Sequence, residues 1–147
     1  MRDVVLLVHV LAATVWTGGH LVLALTVLPR ALAARDPGIL LAFERGYERI
    51  GMPALLVQVA TGVWLASGLL PDWREGLGFA SPVATLLTLK LMLLAATVLA
   101  AIDARLRLIP ALSPATLPAM ARRIVLVTVL SVGFVAVGVA FRGGLMP

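Results

Sequence analysis

The chain has 147 residues, of which 61% are hydrophobic and 13% are charged, with a formal net charge of +5 and no cysteine. A soluble domain carries about 25% charged residues, so this composition excludes an ordinary soluble protein and indicates an integral membrane protein. The lack of cysteine excludes disulfides, thiolate metal sites and thiol redox chemistry.

Four hydrophobic segments are long enough to cross a bilayer, which requires roughly 20 helical residues. The sequence predicts transmembrane helices over residues 4–28, 53–70, 83–102 and 124–141. We do not expect the first segment to be a cleaved signal peptide, because its apolar stretch exceeds the 7 to 15 residues of a signal-peptide core. The prediction is therefore one all-α membrane domain over residues 1–147, a four-helix bundle in the lipid bilayer of the plasma (inner) membrane.

The arginines divide by side of the membrane. Eight lie in the connections after the first and third predicted helices, and three lie on the opposite side. Because basic loops stay in the cytoplasm, this bias predicts that both termini lie on the non-cytoplasmic side, and it explains the net charge without a nucleic-acid partner. The eight are Arg30, Arg35, Arg45, Arg49, Arg105, Arg107, Arg122 and Arg123; the three are Arg2, Arg74 and Arg142.

The first predicted helix contains both histidines of the chain, His9 and His20, with Trp16 between them. Eleven helical steps return to within roughly 20° of the start, so the two imidazoles lie on one face, about 16 Å apart along the axis. Metal ligands lie only about 2 Å from their ion, so the two histidines cannot share one metal. We predict that these histidines are cofactor or metal ligands, because polar side chains within a membrane are usually functional; the alternative for each is a single hydrogen bond donated to a neighbouring helix.

Two further features follow along the chain. Residues 38–51 have an amphipathic pattern that predicts a helical extension of the second transmembrane helix. Lys90 lies about a third of the way into the third helix, where an ammonium costs several kcal/mol without a partner. We consider two roles for Lys90: a structural hydrogen bond, for example to Gln58, or a functional one as a proton donor, axial ligand or cofactor partner.

The residue types favour haem b over copper at these histidines. Copper transfer favours clustered soft ligands, whereas this chain has separated imidazoles and few methionines. Haem b needs one imidazole, and small residues such as Gly19 leave room for the ring, on which Trp16 or Trp64 can pack. One haem in each leaflet is geometrically possible, with second ligands from Lys90, from Met92 or from a second copy in a homodimer.

Several runs of the sequence resemble known membrane families. The run from His9 to Gly19 (HVLAATVWTGG), closed by Leu28-Pro29-Arg30, looks like the first helix of the copper resistance D (CopD) family and of the HemJ-type protoporphyrinogen oxidases. The segments 89–91 and 103–105 and the Arg122-Arg123 pair resemble CopD more closely, and segments 52–54 and 62–64 are similar to HemJ. His20 departs from both patterns, which usually have an apolar residue there.

The resemblance implies a four-helix membrane unit in which His9 and Lys90 match the histidine and lysine of the family. The HemJ branch implies haem b and porphyrinogen oxidation; the CopD branch implies copper handling. We therefore expect a haem b-binding redox protein linked to copper or a quinone, with copper binding or transport and porphyrinogen oxidation as alternatives. The expected site residues are His9 as the main axial ligand, His20 as a second ligand site, Lys90 as catalytic group and charge or proton partner, and Trp16, Gly19, Arg30 and Trp64 around the cofactor.

Overall fold

The computed structural model describes residues 1–68, 78–79 and 81–140. These residues form four long helices, α1 (Arg2–Ala34), α2 (Pro37–Ser67), α3 (Pro82–Leu108) and α4 (Leu117–Ala140), and they include no strand. Each helix is long and apolar enough to cross a membrane, which confirms the predicted four-helix membrane bundle. Arg74, Arg142 and the predicted helix ends at residues 69–70 and 141 lie outside the described residues.

Local sequence sets where the helices begin and end. The side chains of Asp36 and Ser81 accept hydrogen bonds from the first turns of α2 and α3, and proline follows each of them, as is typical of helix starts. Arg35 adopts a left-handed backbone conformation (φ 51°), which ends α1 and turns the chain directly into α2.

The helices are longer than the segments predicted to cross the membrane. The amphipathic stretch from residue 38 to residue 51 continues without a break into the second hydrophobic segment, with Pro53 inside α2, so the predicted helical extension is confirmed. Both α1 and α3 include a π-helical turn near their arginine-rich ends, at Leu23–Val27 and Ala104–Leu108. We call this end of the bundle, which contains Arg30, Arg105 and Arg123, the basic end.

The helices pack in an open arc rather than in a closed ring. Helix α1 packs on α2 and on α4, and α4 packs on α3. Among the described residues, α2 and α3 do not pack against each other along their lengths. One core cluster joins Trp16, Ala100 and Val127 near mid-bundle, and another joins Leu28, Met120 and their neighbours toward the basic end. The arc therefore leaves a gap between α2 and α3.

Candidate cofactor site

The imidazole of His20 is held from three sides. Its Nδ1 lies 2.9 Å from the carbonyl oxygen of Trp16, the Trp16 ring packs on it at 4.4 Å between centroids, and the Tyr47 ring meets it edge-on at 6.0 Å. Because a carbonyl oxygen can only accept, Nδ1 must donate its proton to Trp16. In the neutral ring Nε2 then carries the lone pair, which is the arrangement of a metal-ligating histidine.

His20 lies on the wall of a cavity of about 620 Å³ that faces the gap between α2 and α3. We call it the inner cavity. Its surface is mainly apolar, with Trp16, Tyr47 and Leu55 near His20, and its walls come from all four helices. A cavity of this size and character suits a drug-sized or cofactor-sized ring better than a bare ion.

Charged side chains border the inner cavity toward the basic end. Arg105 of α3 pairs with Glu48 of α2, and Arg123 of α4 pairs with Asp103 of α3. The side chains in these pairs are 27–62% exposed, and both arginines line the cavity. This region of the cavity wall thus carries two arginines and two glutamates, Glu44 and Glu48, and an anionic ligand group would have to compete with Glu48 and Asp103 for the guanidinium groups.

The axial positions of these arginines follow from the helix contacts. Arg123 lies five residues before Thr128, whose hydroxyl is 3.2 Å from the His20 carbonyl. Arg105 lies five residues beyond Ala100, which packs on Trp16. Five residues span about 7.5 Å of helix. The backbone of Arg123 therefore lies about that far toward the basic end from Thr128, and the backbone of Arg105 lies about that far from Ala100 in the same direction. The inner cavity is therefore polar at one end and carries an imidazole farther in.

Tyr47, which sequence reasoning did not select, supports His20. Its ring is wedged between glycines of two helices: a Cβ built on Gly19 would lie 2.1 Å from Tyr47 Cε2, and one on Gly51 would lie 2.6 Å from Cε1. Its hydroxyl donates to the carbonyl of Val15 or Trp16, each 3.0 Å away. The space at Gly19 is thus filled by Tyr47. The one signal for Tyr47 in the sequence is that it is the sole tyrosine of the chain.

His9 lies in a different environment, between α1 and α2. Its Nδ1 is 2.9 Å from the Thr61 hydroxyl, which donates to the Val57 carbonyl at 2.6 Å, so Nδ1 is again the donor. A Cβ on Gly62 would lie 3.2 Å from His9 Cε1, so the ring is closely packed. His9 does not line the inner cavity. The two histidines therefore face separate surroundings on one helix.

The remaining predicted site residues lie apart from the inner cavity. Lys90 on α3 is within electrostatic range of His9, and its Nζ approaches α4, 3.8 Å from where a Cβ on Gly138 would lie. Trp64 is 43% exposed on α2, and Arg30 is exposed at the basic end. The structure thus brings Lys90 toward His9 but leaves Trp64 and Arg30 outside both histidine environments.

The donor set restricts which metals the protein can hold. Among the described residues, no group of three or more histidine and acidic side chains is arranged to bind a metal ion. The thioethers of Met52 and Met120 line the inner cavity with His20. However, Met120 packs with Leu28, which lies eight residues, or about 12 Å of helix, beyond His20. Met120 is therefore too far along the bundle to share a metal ion with His20.

Comparison with known proteins identifies one family. The family model for copper resistance protein D (CopD) matches residues 41–141. Comparisons with curated proteins and with solved structures find no match. The matched region covers most of the chain, including α2 from the segment before Tyr47, all of α3 and all of α4. The chain therefore belongs to the copper resistance protein D family.

Proposed function

We propose that this protein is a redox protein of the plasma membrane that binds haem b in the inner cavity through His20. Its family indicates a copper-related function at the membrane, and the proposal adds a mechanism to that function. The observation that carries it is the hydrogen bond from His20 Nδ1 to the Trp16 carbonyl, because it fixes the ring and directs the lone pair to Nε2.

The inner cavity supports a porphyrin better than a copper ion. One imidazole suffices to hold a haem iron, whereas a copper site needs several ligands gathered around one point. The apolar walls match the ring faces, and Trp16 packs beside the ligating imidazole. Arg105 and Arg123 offer guanidinium groups for the ring carboxylates, at the cost of their pairs with Glu48 and Asp103.

Bound haem b would supply one-electron redox chemistry, and we propose that it exchanges single electrons with a quinone or a copper ion. The residues of the chain do the remaining work: Tyr47 and Trp16 orient His20, and the bundle excludes water from the ring faces. We propose that His9 and Lys90 form a second polar centre that moves protons or binds a second cofactor. The support for this centre is their electrostatic proximity within a membrane helix bundle.

A second candidate function is copper binding without haem. The family match favours it, and His20 and Met52 are suitable ligands for Cu(I) on the wall of one cavity. In this alternative the copper ion is cargo, and His20 Nε2 is its nitrogen ligand. The dispersed position of Met120 makes this the weaker candidate.

The test is the absorption spectrum of protein purified in mild detergent from a host that makes haem. We expect a Soret band, a reduced-minus-oxidised difference and a pyridine haemochrome signal. His20→Ala should lose them, whereas His9→Ala should keep the inner-cavity chromophore, because only His20 lines that cavity. Each variant should elute from gel filtration at the volume of the parent and keep its helical circular dichroism, which checks that it is folded.

Other results would contradict the proposal in distinct ways. Stoichiometric copper by elemental analysis, without haemochrome and lost in His20→Ala, would support the copper alternative. Loss of the chromophore in His9→Ala but not in His20→Ala would move the haem to the second polar centre. Rescue of a haem-auxotrophic strain, abolished by Lys90→Ala, would indicate porphyrinogen oxidation.

A further inference from the structure

The gap between α2 and α3 opens the inner cavity toward the surroundings of the bundle. Met52 on α2 and Val98 and Ile102 on α3 all line the cavity, and they are 45%, 41% and 50% exposed. Side chains that line a cavity and are also exposed mark its mouth. Val98 and Ile102 lie within the predicted third transmembrane helix and Met52 lies next to the second, so we expect this apolar side of the mouth to meet the bilayer near its cytoplasmic face.

One ion pair spans the gap at the basic end. Of the described ion pairs, the one that joins α2 to α3 is Glu48–Arg105. The others join Asp103 to Arg123 of α4 and to Arg107 within α3 itself. Breaking the Glu48–Arg105 contact would release the two sides of the mouth from each other at this end, because α2 and α3 lack extensive packing.

We propose that this gap is a lateral entrance through which an amphipathic ring ligand carrying a carboxylate enters the inner cavity from the bilayer, and that Glu48–Arg105 is its latch. The ligand class follows from the charges: an apolar body matches the mouth, and a carboxylate can replace Glu48 on Arg105. The identity of the ligand as haem rests on the proposed function; the entrance itself does not.

Thr97 provides a position from which to test the entrance. It lines the inner cavity from α3 and is 0% exposed, so a reagent can reach it only when the walls of the cavity move apart. Since the chain has no cysteine, Thr97→Cys introduces a single thiol. The protein is placed in phosphatidylcholine vesicles and labelled either with N-phenylmaleimide, which dissolves in the bilayer, or with a sulfonated maleimide, which remains in water.

We expect N-phenylmaleimide to label Thr97→Cys faster than the sulfonated reagent does. Adding Glu48→Gln should increase the N-phenylmaleimide rate several-fold, and the charge exchange Glu48→Arg with Arg105→Glu should restore the slow rate. Asp103→Asn is the matched control, because it breaks ion pairs at the same end that do not cross the gap. When Asp103→Asn is added to Thr97→Cys, the labelling rate should equal that of Thr97→Cys alone within experimental error.

Three results would overturn the entrance: equal rates with and without Glu48→Gln, faster labelling from water than from the bilayer, or labelling that slows as the protein-to-lipid ratio rises. The last would mean that a second copy covers the gap. Haemin uptake is then measured separately in the cysteine-free protein, where Glu48→Gln should speed both binding and release. If haemin does not bind while labelling behaves as expected, the proposed function fails and the entrance stands.

Discussion

The sharpest structural prediction concerns two adjacent glycines of α1. Gly19→Ala places a methyl group where Tyr47 Cε2, Cζ and the hydroxyl oxygen lie only 2.1, 2.2 and 2.5 Å away, whereas a Cβ on Gly18 meets nothing within 4 Å. The Tyr47 ring also lies close to the backbone of Gly51 on α2, where an added Cβ would be 2.6 Å from Cε1, so the ring has little room to turn aside. Gly19→Ala must therefore push α1 and α2 apart or expel the ring.

The expected cost is the sum of two effects. Overpacking a close contact costs about 1–3 kcal/mol, and loss of the hydrogen bond from the Tyr47 hydroxyl to the α1 backbone costs about 0.5–1.5 kcal/mol. Gly19→Ala should thus destabilise the bundle by about 1.5–4.5 kcal/mol. Gly18→Ala should change stability by no more than about 1 kcal/mol, and in the stabilising direction, because alanine is favoured over glycine in a helix.

The assay is unfolding of the purified protein in detergent by titration with sodium dodecyl sulfate, followed by far-ultraviolet circular dichroism. The double variant Gly19→Ala with Tyr47→Ala removes the ring that clashes, so its added cost over Tyr47→Ala alone should be small. Equal stabilities for Gly18→Ala and Gly19→Ala would refute the wedged position of Tyr47. Additive costs in the double variant would refute the clash as the cause.

Three further predictions use other contacts. Asp103→Asn weakens the part-buried pair with Arg123 and should cost about 1–2 kcal/mol in the same unfolding assay; no change would show that the pair is solvent-screened. Thr61→Val removes the acceptor of His9 Nδ1 and should cost about 1–3 kcal/mol, while Thr61→Ser should be close to the parent; equal losses in both would contradict the hydrogen bond. Alkaline phosphatase fused to either terminus should be active, as the arginine distribution requires, and an inactive fusion at both ends would reverse the predicted orientation.

The sequence predicts the helices well because each is encoded locally. Apolar length fixes four bilayer crossings, and the amphipathic stretch that includes Tyr47 predicts the helical extension that the structure confirms. Hydrophobic segments alone do not reveal which helices touch. The open arc, with a gap between α2 and α3, depends on close contacts such as Gly19 with Tyr47, which join residues far apart in the chain.

The candidate site was only partly predictable for the same reason. His9 and His20 stand out because imidazoles are rare in membrane helices, but nothing local distinguishes the packed ring of His9 from the cavity-lining ring of His20. The charges of Glu48 and Arg105 have the pattern of a solvated helix face and a basic loop. Their pairing across the gap depends on the tertiary arrangement of α2 and α3, which no local sequence pattern encodes.

The most direct test of the account is chemical rescue of the proposed ligand. His20→Gly removes the imidazole and leaves a space beside Trp16 and Tyr47 that free imidazole can occupy. With haemin added to the purified variant, we predict that the Soret spectrum of the parent is lost and that millimolar imidazole restores it, while His9→Gly keeps the spectrum without imidazole. An unchanged spectrum in His20→Gly, or one that imidazole does not restore in a folded variant, would contradict the assignment of His20 as the ligand.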